Sequence, residues 1–128
     1  MPASSTDGSD AIVTPPSAGV EAALDVAHLS RMTLGDRRLE REVLQLFDRQ
    51  TEMLIERMRD APVPARLSCA HTLKGSARNI GAWGVASAAE QVEKAAADTT
   101  DPTSALAAMA ELVRAVADAR RAIALRLD

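Results

Sequence analysis

Aromatic side chains are almost missing from this chain of 128 residues, which has one Phe, one Trp and no Tyr. A sheet core draws on β-branched and aromatic residues, so the scarcity argues against sandwiches and barrels. It favours thin helices that pack closely, with alanine supplying much of the 47% apolar content. A single cysteine excludes an internal disulfide and fits a reducing compartment. Positive charge is not in excess either: 15 Lys and Arg stand against 18 Asp and Glu, net −3, which is no footprint for nucleic acid. No apolar run approaches the ~20 residues that cross a bilayer. The N-terminus lacks the basic start and apolar core of a secretory signal. The length suits one domain with one modest core. These absences leave a cytoplasmic, all-α domain with neither membrane nor nucleic acid as partner.

Residues 1–20 hold Pro2, Pro15, Pro16, Gly8, Gly19 and several serines, with only Ala11, Ile12 and Val13 as an apolar cluster. This composition predicts a disordered leader, and residues 21–128 are left as the folded domain. A short helix is expected from Glu21 to Thr33, anchored by Leu24, Ala27 and Leu29. Leu34-Gly35-Asp36 follows as a stop and a new N-cap. From Arg37 to Arg59, Leu39, Val43, Leu46, Phe47, Leu54 and Met58 recur at three- and four-residue steps, marking a long amphipathic helix. Phe47 is read as core, with the rim of a partner surface as the other option. Pro62 and Pro64 end that helix.

Pro64 to Ile80 forms the next helix, broken at Gly81-Ala82-Trp83-Gly84. A fourth helix spans Trp83 to Ala97, with Val85, Ala88, Ala89, Val92 and Ala96 inward. Asp101 and Pro102 cap and open a last helix, Thr103 to Leu127, whose stripe is Leu106, Met109, Val113, Val116, Ile123 and Leu127. Short connections place sequential helices antiparallel. The expected architecture is an antiparallel four-helix bundle with a short extra N-terminal helix.

Much active-site chemistry is excluded by what the motifs lack. No glycine-rich phosphate loop, no His-Glu-x-x-His pair and no carboxylate–histidine cluster suggests a metal or a cofactor. His28 has no ligand-type neighbours and reads as an ordinary helix histidine. Cys69 and His71 project about 160° apart on a helix, so they cannot form a nucleophile–base pair.

The histidine helix carries the distinctive pattern. With 100° per residue, Leu67, Lys74, Gly75 and Arg78 fall within about 60° of His71, while Cys69, Leu73, Ala77 and Ile80 gather opposite. One face is a core stripe; the other has an imidazole, two cations and bare backbone. Glycine inside a helix costs about 1 kcal/mol relative to alanine, so Gly75 wants a reason. The pattern suits a phosphoryl acceptor. Neutral imidazole is a nucleophile. Lys74 can meet a phosphoryl oxygen, and Gly75 leaves room beside the ring. Arg78 adds a second cation.

The run His71-Thr72-Leu73-Lys74-Gly75-Ser76-Ala77, followed by Asn79-Ile80-Gly81-Ala82, resembles the core signature of the histidine-containing phosphotransfer (HPt) domains of phosphorelays. More loosely, the resemblance extends from Leu24 to Leu127. It implies that His71 takes a phosphoryl group on Nε2 from an aspartyl phosphate and hands it to another aspartate. It further implies that Lys74 assists, that Gly75 gives clearance, and that a Glu or Gln on the following helix accepts a hydrogen bond from the ring. Counting along the motif puts that last residue at Glu93, with Glu90 as a nearby alternative. A monomeric carrier without kinase activity or cofactor follows. Its partners would be receiver domains of response regulators and hybrid histidine kinases, docked around His71 with Leu67 and Arg78 in the contact. Two other readings remain: a helical adaptor that is never phosphorylated, and a detached phosphotransfer domain of a chemotaxis-type kinase.

Overall fold

Asp25, Asp36 and Asp101 begin three helices of this protein by the same device. The computed structural model describes residues 23–98 and 100–128, which form five helices. These are α1 (Val26–Met32), α2 (Arg37–Arg59), α3 (Val63–Ile80), α4 (Trp83–Ala97) and α5 (Pro102–Leu127). The leader expected over residues 1–20 lies outside the described residues. Asp25 accepts from the His28 amide, Asp36 from those of Arg38 and Leu39, and Asp101 from those of Thr103 and Ser104. Each carboxylate pairs amides that a first helical turn leaves open and complements the positive end of the helix. With Asp25 as the cap, residues 23–25 precede α1 without being helical, and the expected start at Glu21 lies outside the described residues.

Two helices stop through left-handed residues. At the end of α1 the stop is Leu34 itself (φ 56°), followed by Gly35 (φ 74°), whose amide donates to Ser30. At the end of α3 it is Gly81 (φ 85°), with the Ala82 amide donating to Ala77. Both are Schellman-type closures that satisfy the last carbonyls of the helix.

Helix α3 packs against α4, α4 against α5, and α2 against both α3 and α5, which closes the antiparallel four-helix bundle; α1 lies against α3. The centre holds Leu29, Leu44, Met58, Leu73, Leu112 and Ile123, all fully buried. Ala70, Ala77, Ala82, Ala89 and Ala119 are likewise buried, and their small size lets the helix axes approach. Val85, Ala88, Ala89, Val92 and Ala96 of α4 face inward as expected, and Phe47 is buried in the core.

Several expected anchors are corrected. On α2 the inward stripe is Glu40, Leu44, Phe47, Thr51, Leu54 and Met58, so Leu39 and Leu46 face solvent, Leu46 at 60% exposure. Two of those inward positions are polar, and a reading that follows apolar letters slides one residue towards 39 and 46. Glu40 can be buried because Arg126 of α5 donates to both its oxygens, at 2.7 and 3.1 Å. On α5, Leu112 and Ala119 complete the stripe, while Leu106 lies exposed, about 100° from the inward-leaning Ala105. Ala27 of α1 is exposed as well; Leu24 and Leu29 anchor that end.

Candidate functional site

Burial of Cys69, Ala70, Leu73, Ala77 and Ile80 on one side of α3 turns His71 outward. Its side chain is 73% exposed. The Gly81–Ala82 turn then sends α4 back along α3. His71 lies as many residues before Gly81 as Glu93 lies after Trp83, so the two reach the same height on neighbouring helices, about 15 Å from the turn. That register is what brings them together.

Glu93 Oε2 stands 3.1 Å from His71 Nδ1, and Glu93 Oε1 stands 2.7 Å from Lys74 Nζ. The carboxylate thus bridges the ring and the ammonium. Lys74 and Glu93 are largely sheltered, at 17% and 20% exposure, so the pair is screened less than a surface ion pair while the ring remains in solvent. Burial works against the charged form of Glu93, but the Lys74 ammonium and the His71 ring outweigh it and hold the carboxyl below its ordinary value. With Nδ1 donating to a carboxylate, the proton sits on Nδ1 and the lone pair on Nε2. No described residue hydrogen-bonds Nε2.

Gly75 follows on the same face. A Cβ built there would meet nothing within 4 Å, so the fold itself has no need of glycine at this position. Arg78 binds Glu90 at 3.3 Å, and Lys94 binds the other oxygen of Glu90 at 3.5 Å. The structure therefore gathers His71, Lys74 and Glu93 into one cluster and sets Glu90 in a second one with Arg78. Leu67 is half-buried one turn before His71, and neither it nor Arg78 bonds to the ring. Sequence reasoning missed two links: Glu93 engages Lys74 as well as the ring, and Lys94 joins Arg78 through Glu90. The second was signalled by the four-residue spacing of Glu90 and Lys94.

The turn that fixes this register has its own support. Asp25 donates its amide to the Gly81 carbonyl at 2.9 Å and accepts from the Trp83 indole at 2.9 Å. The His28 ring packs edge-on against Trp83, with centroids 4.9 Å apart. Among the described residues no cluster of His, Cys, Asp and Glu could hold a metal, and no helix is long and apolar enough to cross a membrane.

The site is thus an exposed histidine on a bundle helix, its ring held by a carboxylate of the next helix. The chain belongs to the Hpt domain family, whose model matches residues 42–122. In fold it is similar to a crystal structure from rice described as a histidine-containing phosphotransfer protein. The TM-score is 0.71 at 21% identity, covering 94% of this chain and 90% of that one. No curated protein matches the chain. Family membership supports a role in phosphorelay signalling.

Proposed function

We propose that this protein relays phosphoryl groups between aspartates of receiver domains through a phosphohistidine at His71. The observation that carries the reading is the His71 Nδ1 to Glu93 Oε2 contact of 3.1 Å beneath an otherwise exposed ring. It presents Nε2 as the nucleophile. In the forward step the Nε2 lone pair forms the N–P bond as the bond from phosphorus to the aspartyl oxygen breaks, and that oxygen leaves with the electron pair as carboxylate. The ring becomes cationic, and Glu93 holds the Nδ1 proton throughout, so no proton need leave the site. Passing the group to a second aspartate reverses each change.

Lys74, one turn from His71, supplies a cation for a phosphoryl oxygen, and the open space over Gly75 admits the group and the partner's active site. With no metal-ligating cluster among the described residues, the partner would contribute any Mg²⁺ and the rest of the transition-state machinery. The carrier would act as a cytoplasmic monomer without kinase activity of its own, docking receivers over His71 with Leu67 and Arg78 at the margin.

The test is transfer from a phosphorylated receiver domain to wild type and to His71→Gln. Acid-labile, base-stable label on the wild type alone supports the relay. No label from a broad receiver panel, with both proteins folded, favours a binding adaptor. Labelling by a kinase catalytic domain and ATP without any receiver favours a detached kinase phosphotransfer domain.

A further inference from the structure

His71 and Glu93 occupy the α3–α4 seam, and the α2–α5 seam lies diagonally across the bundle from it. That far seam is joined by charge. Arg126 donates to both oxygens of Glu40, and Arg120 donates to both oxygens of Asp48, at 2.8 and 3.3 Å. Each carboxylate is thereby neutralised by an arginine of α5. Two clefts of about 320 and 300 Å³ run along the seam and share Leu127 as a wall.

The remaining charge on these walls is positive. Arg37, Arg38 and Arg41 line the first cleft, and Arg49 lines the second. Among the described residues no carboxylate lies within ion-pair distance of Arg38, Arg41 or Arg49, and Arg37 only reaches Glu40 at 3.9 Å. A basic strip is thus concentrated on one face of a chain whose net charge is −3. Ala124 and Leu127 of α5 form an apolar wall beside it. From Arg37 to Arg49 the strip runs about 18 Å, the reach of five or six residues of extended peptide.

We propose that this groove is a second docking surface, for an extended acidic segment of a partner protein with apolar side chains between its carboxylates. Charge complementarity identifies the occupant. Guanidinium groups match carboxylates in planar, two-point geometry, and the apolar wall would be wasted on a small anion. Because the groove is on the face away from His71, a tethered partner leaves the ring accessible. The phosphorelay site and the tether can then be occupied together, raising the local concentration of whichever domain the segment carries.

The experiment uses a fluorescein-labelled peptide on the order of eight residues, alternating glutamate and leucine, titrated with the full chain at low salt. A glutamine-for-glutamate peptide serves as control and pyrophosphate as competitor. The exposed double variant Arg38→Glu/Arg41→Glu tests the location. Expected are binding of the acidic peptide alone, weakening of roughly tenfold or more in the variant, amide shifts confined to the start of α2 and the end of α5, and unchanged phosphoryl uptake by His71. Absence of binding overturns the proposal. So do equal binding by the variant, equal binding of the glutamine peptide, or displacement by pyrophosphate at the peptide's own concentration, the last meaning that the groove is a simple anion site.

Discussion

Trp83 donates its indole N–H to Asp25 at 2.9 Å, across 58 residues of sequence. The same aspartate caps α1 and bonds the carbonyl of Gly81, so one residue joins the N-terminal helix to the turn that sets α3 and α4 in register. Trp83 is the only tryptophan, and its fluorescence reports this junction alone. Asp25→Ala removes the cap and the indole acceptor together. The urea midpoint should fall, with the Trp83 emission changing already in the folded baseline; an unchanged midpoint and spectrum would show that α1 docks without this contact.

The two motif glycines should respond oppositely to alanine. At Gly81 the left-handed φ of 85° and the Asp25 Cβ and carbonyl, 2.9 and 3.0 Å from an added Cβ, oppose any side chain. Gly81→Ala should cost roughly 1–3 kcal/mol in urea unfolding. Gly75 is helical and open, so Gly75→Ala should be neutral or stabilise by about 0.5–1 kcal/mol. Its phosphoryl uptake should nevertheless slow, because the methyl group intrudes on the space beside the ring. Stability lost at Gly75, or uptake unimpaired, would refute the clearance role.

Glu93 should govern the tautomer of His71. Nitrogen-15 NMR of the ring should find the proton on Nδ1 in wild type, and Glu93→Ala should shift the population towards Nε2–H while slowing phosphoryl uptake. Glu93→Gln can still accept from Nδ1–H and should retain the tautomer. Lys74→Ala should leave the tautomer in place, because Nδ1 bonds the other carboxylate oxygen of Glu93. It should slow transfer by about 10- to 100-fold, since the phosphoryl contact is lost along with the Lys74–Glu93 ion pair.

Acid should loosen the α2–α5 seam. The Arg126 guanidinium, outweighing the opposing effect of burial, holds the Glu40 carboxyl below its ordinary value. A carboxyl lowered in the folded state stabilises fully above its unfolded value, about 4.3, and loses that contribution as pH falls through the folded one. Stability should therefore decline below about pH 4.3, with other paired carboxylates adding to the slope. Glu40→Gln should lower stability by about 1–2 kcal/mol at neutral pH and make the acid decline shallower. Urea midpoints at pH 7 and about pH 4 decide it; a Glu40→Gln variant with the full wild-type slope would contradict the assignment.

Leu44 and Leu46 make a direct test of the α2 register. Leu44 is fully buried and Leu46 is 60% exposed. Leu44→Ala should cost about 2–5 kcal/mol, and Leu46→Ala should stay within about 0.5 kcal/mol of wild type. Comparable losses at both would mean that α2 is rotated.

Helix order, the Asp36 and Asp101 caps, the Gly81 stop and the outward set of His71, Lys74, Gly75 and Arg78 were legible in the sequence, whereas the Asp25 cap was not. They depend on local chemistry: which side chain can bond a free amide, which residue tolerates a left-handed backbone, and how a 3.6-residue period sorts one helix into two faces. Tertiary structure decided what a single helix cannot. It settled that α2 buries Glu40 and Thr51 while exposing Leu39 and Leu46, because the arginine that makes Glu40 tolerable comes from α5, far along the chain. It put Glu93 rather than Glu90 beside the ring, because only the turn at Gly81 sets the height of α4 against α3. It also showed Lys74 sharing the carboxylate of His71, since charge pairing across a seam depends on distances that exist once two helices have packed.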